Sequence, residues 1–231
     1  MTFTRLAIYH MPEGDLGEFG SAWLGWDARR AATVPRPQID NLPASPQELT
    51  STPMRYGFHA TLKAPFRLAA GHDLDDLMRQ IELVCDHLAP FTLDLELRAD
   101  WSFVALRPRN RPAELMALEQ ALVTRLDHLR APLSPQERDR RNPDKLPERA
   151  RMHLEHWGYP FVLDLFNYHL TLSNSLSPET EEQLREALAP VIAPLIAEPM
   201  PVRSVALLGE DKSRHMRVIR EFPLLGRETA Q

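Results

Sequence analysis

Two stretches of the chain alternate polar and apolar side chains with a period of two, and a half-buried strand is the arrangement that satisfies such a pattern. In Arg55-Tyr56-Gly57-Phe58-His59-Ala60-Thr61-Leu62-Lys63-Ala64-Pro65 the alternation puts Gly57, His59, Thr61 and Lys63 on one face. Tyr56, Phe58, Ala60 and Leu62 take the other. In Asn167-Tyr168-His169-Leu170-Thr171-Leu172-Ser173 the polar face is Asn167, His169, Thr171 and Ser173, backed by Tyr168, Leu170 and Leu172. A His and a Thr two residues apart on such a face stand about 6 to 7 Å from each other. The apolar faces call for a core, so the polar faces are expected to line one open cavity, to which each strand brings a histidine.

The same order of elements follows each stretch. After the first, Asp73 reads as an N-cap with Asp75 and Asp76 in the first turn, and Leu77, Ile81, Val84, Cys85 and Leu88 describe one buried helix face. Phe91 to Leu97 and Ser102 to Arg107 then read as strands. After the second, Ser177 and Pro178 open a helix carrying Leu184, Leu188, Ile192 and Leu195, which Pro190 and Pro194 are expected to kink or divide. Val202 to Leu208 and Met216 to Phe222 follow as strands. Strand, helix, strand, strand, given twice, is what an internal duplication leaves behind, at a period too long for a solenoid. One bilobal domain over residues 1–231 is expected, with lobe 1 at about 1–130 and lobe 2 at about 161–231.

The remaining segments fill in around this frame. Arg5 to Tyr9 reads as a strand, and Phe19, Trp23, Leu24 and Trp26 sit at helical spacing. Prolines at 35, 37, 43, 46 and 53 mark a pinned loop. Pro112 opens a helix through Leu115, Leu118, Leu122 and Leu126. Residues 131–160 crowd together Arg138, Asp139, Arg140, Arg141, Asp144, Lys145, Glu148, Arg149 and Arg151, with a helix expected from Pro147 to Trp157. Charges of mixed sign usually mean wet surface, so this insertion reads as a connector; the sharper alternative is a lid whose arginines meet an anionic substrate.

Composition narrows the chemistry. Hydrophobic residues at 43% and charged residues at 26% are ordinary for a soluble globular protein. A net charge of −5 argues against a broad nucleic-acid surface, while leaving room for a small basic pocket. Cys85 is the only cysteine, which excludes an intrachain disulfide or a thiolate metal cluster, and its place on an apolar helix face reads as core packing. No apolar run has the length of a signal peptide or a membrane span, so a cytoplasmic protein is expected.

Two imidazoles facing one point can divide acid and base work, because the ordinary histidine pKa of about 6.5 leaves both protonation states accessible. One takes a proton from water or a sugar hydroxyl while the other supplies the leaving oxygen, each transfer typically worth about a hundred- to ten-thousand-fold. Thr61 and Thr171 hydroxyls can donate to a phosphate oxygen, and Lys63 can balance its charge. This chemistry asks for no metal and no cofactor. His153 and His156 flank Glu155 without a third ligand at metal spacing, and His10, His72, His87, His128 and His215 read as structural, as do Trp101 and Phe103.

His59-Ala60-Thr61-Leu62 and His169-Leu170-Thr171-Leu172 resemble the paired His-x-Thr-x motifs of the two-histidine (2H) phosphoesterase superfamily, which includes LigT-like RNA phosphodiesterases and plant cyclic phosphodiesterases. The longer string from Arg55 to Phe66 is similar, more narrowly, to the branch found with bacterial phosphonate-utilisation genes. The resemblance implies an α+β fold with two pseudo-symmetric lobes, antiparallel sheets lining a central cleft and helices outside. It implies His59 and His169 as acid and base, with Thr61 and Thr171 holding the phosphate. It also implies metal-independent cleavage of a cyclic phosphodiester, with a ribose cyclic phosphate such as 5-phosphoribosyl 1,2-cyclic phosphate as substrate in phosphonate catabolism. A second anionic group on that substrate would draw on Arg55, Lys63, Lys212 and Arg214, with Tyr56 and Tyr168 beside the motif histidines also expected at the substrate. The rival readings are an RNA-end 2′,3′-cyclic phosphodiesterase or 2′-5′ RNA ligase-like enzyme, and a non-catalytic binder of nucleotides or sugar phosphates. The partner expected in each case is a small sugar or nucleotide phosphate rather than extended nucleic acid or a membrane.

Overall fold

The computed structural model describes residues 3–227. Its strands are β1 (Leu6–His10), the short hairpin β2 (Trp26–Asp27) and β3 (Ala32–Thr33), β4 (Ala60–Phe66), β5 (Phe91–Leu93), β6 (Leu95–Ala99), β7 (Val104–Pro108), β8 (Leu170–Thr171), β9 (Met200–Val202), β10 (Ser204–Glu210) and β11 (Met216–Pro223). Its α-helices are α1 (Gly14–Leu24), α2 (Pro46–Thr50), α3 (Leu74–Asp86), α4 (Ala113–Arg125), α5 (Pro135–Asp139), α6 (Glu148–Trp157) and α7 (Pro178–Leu195). The architecture is the α+β arrangement expected, with antiparallel pairing throughout.

Two sheets carry the two motifs. One has the order β11-β10-β1-β4 and the other β6-β7-β8. The order of elements along the chain does not map one half onto each of these sheets. β7, which follows the first motif and carries β6 on its other edge, pairs with the strand of the second, while β10 and β11, which follow the second, join the sheet of the first. The physical reason lies in β8, whose two residues are too short to hold a sheet alone and are covered by the β6–β7 hairpin. The expected strand Phe91 to Leu97 therefore splits at Asp94, its first part pairing with β9 and its second with β7.

The core is continuous across both halves. Leu77, Ile81 and Val84 of α3, Leu115, Leu118 and Leu122 of α4, and Leu184, Leu188 and Ile192 of α7 pack against Leu6, Ile8, Leu62, Leu106 and Leu207 of the sheets. β1 is buried on both faces: Leu6 and Ile8 join this core, while Ala7 and Tyr9 join a smaller cluster with Trp26, Ala206, Leu208 and Met216. Asp73 caps α3 with a reciprocal bond to Asp76, as its sequence predicts. α7 runs undivided through Pro190 and Pro194. Both prolines are exposed, as is Glu186, so the carbonyls that lose their intrahelical donors face water. No helix among the described residues is long and apolar enough to cross a membrane.

Candidate active site

The local backbone before each motif strand sets the ring of its histidine. Pro53–Tyr56 forms a 3-10 turn that ends at Gly57, whose φ of +75° is a conformation that side chains rarely permit. The Gly57 carbonyl oxygen lies 2.8 Å from His59 Nδ1. A carbonyl only accepts, so Nδ1 carries the hydrogen and the neutral ring keeps its lone pair on Nε2, which stands 3.2 Å from the Thr61 hydroxyl. The ring stacks on Tyr9, with centroids 3.7 Å apart and planes inclined by 22°. His169 repeats the arrangement: its Nδ1 lies 2.8 Å from the Asn167 carbonyl oxygen, and Phe103 and Trp101 flank its ring at 5.6 and 5.8 Å. His59, Thr61, His169 and Thr171 line one cavity of about 470 Å³, together with Tyr9, Tyr56 and Phe103.

Both imidazoles are biased towards the neutral form. Burial lowers the His59 pKa to about 4, against the bond to Gly57, and a positive charge on His169 lowers it further. Burial also lowers His169, opposed by its bond to Asn167 and reinforced by the Arg107 guanidinium. Arg107 is held in place by Asp100 at 2.7 Å and lies over the Trp101 ring at 3.8 Å. The site thus presents two Nε2 atoms, both biased towards the lone-pair form, with two hydroxyls beside them, a set suited to proton transfer around a phosphoryl group.

Four of the six expected substrate-binding residues reach the surface of this cleft or the cavity next to it, and two do not. Tyr56 lines the cleft itself, while Arg55, Lys212 and Arg214 line an adjoining cavity. Lys63 points away. Tyr9 pairs with Thr61, Ile8 with Lys63 and Leu6 with Phe66, so β4 carries two irregularities against β1 that break the period of two. Ala64 and Pro65 take the cleft side, and Lys63, 4% exposed, donates from Nζ to the Val123 carbonyl oxygen at 3.1 Å and sits 3.8 Å from Asp127. Tyr168 also lies in the core, where its hydroxyl is 2.6 Å from Nδ1 of the buried His10. Its place on the apolar face of the motif decides this. Ser173 is buried as well, accepting from the Val104 N–H and donating to the Asn174 carbonyl.

Other features were not legible in the sequence. Tyr9 gave no signal beyond an apolar strand, and Trp101 and Phe103 stand against His169 instead of only packing. The charged insertion is more than a connector, since Arg141 and Tyr159 line the cleft. Its expected helix is α6, on which the buried His153 is bound by Asp164 at 2.7 Å. Among the described residues no group of three or more His, Cys, Asp or Glu is placed to hold a metal ion.

Residues 61–217 match the family described as "Protein of unknown function (DUF1045)". The chain belongs to the DUF1045 family. The span of the DUF1045 match begins two residues after His59 and includes His169, Thr171 and the β10–β11 turn. The chain is 36% identical over 182 residues to ribose 1,5-bisphosphate phosphokinase PhnN of Janthinobacterium sp. (strain Marseille), covering 76% of this chain and 40% of that protein. A protein of the same name from Laribacter hongkongensis (strain HLHK9) is 32% identical over 174 residues, covering 74% and 40%. The DUF1045 chain thus spans about 40% of the length of these curated relatives. Solved structures similar to it include TT0787 of Thermus thermophilus, at a TM-score of 0.47 and 14% identity over 97% of this chain and 100% of that one. E. coli LigT complexed with NADP+ gives a TM-score of 0.44 and 15% identity over 97% and 99%. Neither likeness is close enough to assign an activity.

Proposed function

We propose that the chain is a metal-independent cyclic phosphodiesterase that opens a ribose cyclic phosphate, such as 5-phosphoribosyl 1,2-cyclic phosphate, in phosphonate catabolism. The observation that carries this reading is the matched anchoring of His59 and His169, which aims two Nε2 atoms into one cavity with a threonine beside each. His59, held neutral down to about pH 4, is the base: Nε2 takes a proton from water as the water oxygen bonds to phosphorus. The ring P–O bond breaks, and its oxygen takes the proton carried by His169, leaving a phosphomonoester. The phosphodiester anion itself raises the proton affinity of His169 on binding. Thr61, whose hydroxyl lies 3.2 Å from His59 Nε2, turns that hydroxyl to a phosphoryl oxygen, and Thr171 does the same from the facing strand. The two relatives, ribose 1,5-bisphosphate phosphokinases by name, are named for a phosphorylated ribose, which supports a sugar phosphate over an RNA end.

A nucleoside 2′,3′-cyclic phosphate is the second reading, favoured by the aromatic wall of Trp101 and Phe103 at His169. Phosphorus NMR separates the two: with chelator present, turnover of 5-phosphoribosyl 1,2-cyclic phosphate should exceed that of a nucleoside 2′,3′-cyclic phosphate. Preference for the nucleotide moves the reaction to RNA ends, and absence of turnover with both leaves a binding protein.

A further inference from the structure

Beside the histidine cleft lies a second cavity of about 520 Å³ whose wall collects Arg55, Arg140, Arg141, Lys212 and Arg214. Three separated segments supply them: the 3-10 turn before Gly57, the chain just after α5, and the turn between β10 and β11. The two cavities share Arg5, Tyr56, Pro65 and Arg141, so they adjoin. Three acids also line the second cavity, and each is taken. Glu210 binds Arg5 at 2.7 Å, Glu137 binds Arg67 at 2.9 Å, and Asp211 binds Arg217. Among the described residues none of the five cations makes an ion pair. In a chain of net charge −5, such a gathering of like charge is unfavourable until an anion enters it.

The wall is also prepared for a ligand. Asp211 Oδ1 accepts from the Ser213 and His215 N–H groups at 2.8 and 3.0 Å and from the Ser213 hydroxyl at 2.6 Å, and this turn holds Arg214 at a φ of +64°. A non-glycine residue kept there reflects a turn over-determined by its surroundings. Arg141 lies over the Tyr159 ring at 4.8 Å, and α5 is fixed by its Ser134–Glu137 capping box and by Arg67.

We infer that this cavity seats a second phosphoryl group of the substrate, a phosphomonoester remote from the ester being cleaved, and that residues 131–160 are retained as part of its wall. The inference rests on the cyclic phosphodiesterase reading. Four guanidinium groups offer paired donors to tetrahedral oxygens, and the number of charges suits a dianion better than a carboxylate. The insertion is then a specificity element: substrates without the remote phosphate reach the histidines but bind weakly.

The test compares kcat/KM for ribose 1,2-cyclic phosphate with and without a 5-phosphate, in the wild type and in Arg55→Ala, Arg140→Ala and Lys212→Ala, all at exposed positions. Each substitution should cost about ten-fold with the 5-phosphate present and less than about two-fold without it. Equal losses on both substrates, or none, overturn the inference. Calorimetric binding of ribose 5-phosphate to the same variants in a His59→Ala background is independent of turnover. Weakening supports the phosphate seat and unchanged affinity removes it, whereas failure to open either cyclic ester would instead remove the phosphodiesterase reading.

Discussion

Gly57 stands so close to Ala28 that a Cβ on Gly57 would come within 3.0 Å of the Ala28 Cβ. Ala28 belongs to the small cluster beneath Tyr9, so the contact ties the carbonyl that orients His59 to the stack that supports its ring. Gly57→Ala should therefore lower kcat by about ten- to a hundred-fold through misplacement of the imidazole, with a stability loss of about 1–3 kcal/mol. Steady-state kinetics beside a thermal melt checks this, and wild-type kcat would show that the Gly57 carbonyl does not position the ring.

The two histidines should behave as one unit. His59→Ala and His169→Ala should each reduce kcat by about a hundred- to ten-thousand-fold, and the double variant should lose little more than the worse single one. Additive losses would show that the rings act in separate steps. Single-turnover rates on the cyclic phosphate decide between these outcomes.

The pH profile follows from the directions of the shifts. kcat/KM reports the free enzyme, which under the proposed roles holds His59 neutral and His169 protonated. His59 is neutral above about pH 4, and His169 loses its proton below the ordinary histidine value, so the maximum should lie on the acid side of about 6.5. Arg107→Gln removes a positive neighbour of His169, raises its pKa and moves the basic limb to higher pH. A basic limb that stays in place in this variant would detach Arg107 from the site. The depressed His59 pKa also makes stability full above about pH 6.5 and progressively lower as pH falls towards 4, because the unfolded chain binds the proton first.

Lys63→Met should leave kcat/KM unchanged. Burial lowers the Lys63 pKa to about 8, with Asp127 opposing, so the charged form is disfavoured in the fold and its contribution to stability improves as pH rises from about 8 to the unfolded value near 10.4. Replacing it by an apolar side chain of similar length should be neutral or stabilising by up to about 3 kcal/mol at pH 7. A thermal melt and an activity assay on the same preparation check both halves, and a loss of substrate affinity would return Lys63 to the site.

Tyr168→Phe should cost about 1–3 kcal/mol, since it leaves Nδ1 of the buried His10 without the hydroxyl 2.6 Å away. Activity of the remaining folded enzyme should be that of the wild type. Denaturant unfolding followed by tryptophan fluorescence measures the first, and kinetics at a temperature below the melt measures the second.

The amino-acid sequence by itself determined what depends on near neighbours. The alternation from His59 to Thr61 and from His169 to Thr171, the Asp73 cap, the apolar faces of α3, α4 and α7 and the repeated element order are all read along the chain, and each is present in the fold. The paired motif also named four of the residues that meet in one cavity, because side chains two apart on a strand share a face wherever that strand is placed. What the tertiary structure decided depends on partners distant in the chain. The offset of β4 against β1 turned Lys63 inward, a matter of register that β4 alone does not carry. The pairing of β7 with β8 brought Trp101, Phe103 and Arg107 to His169, and the folding back of residues 131–160 set Arg140 and Arg141 beside Lys212 and Arg214. Each of these juxtapositions rests on long-range closure, whose outcome is chosen by the burial of the whole core and not by any one segment.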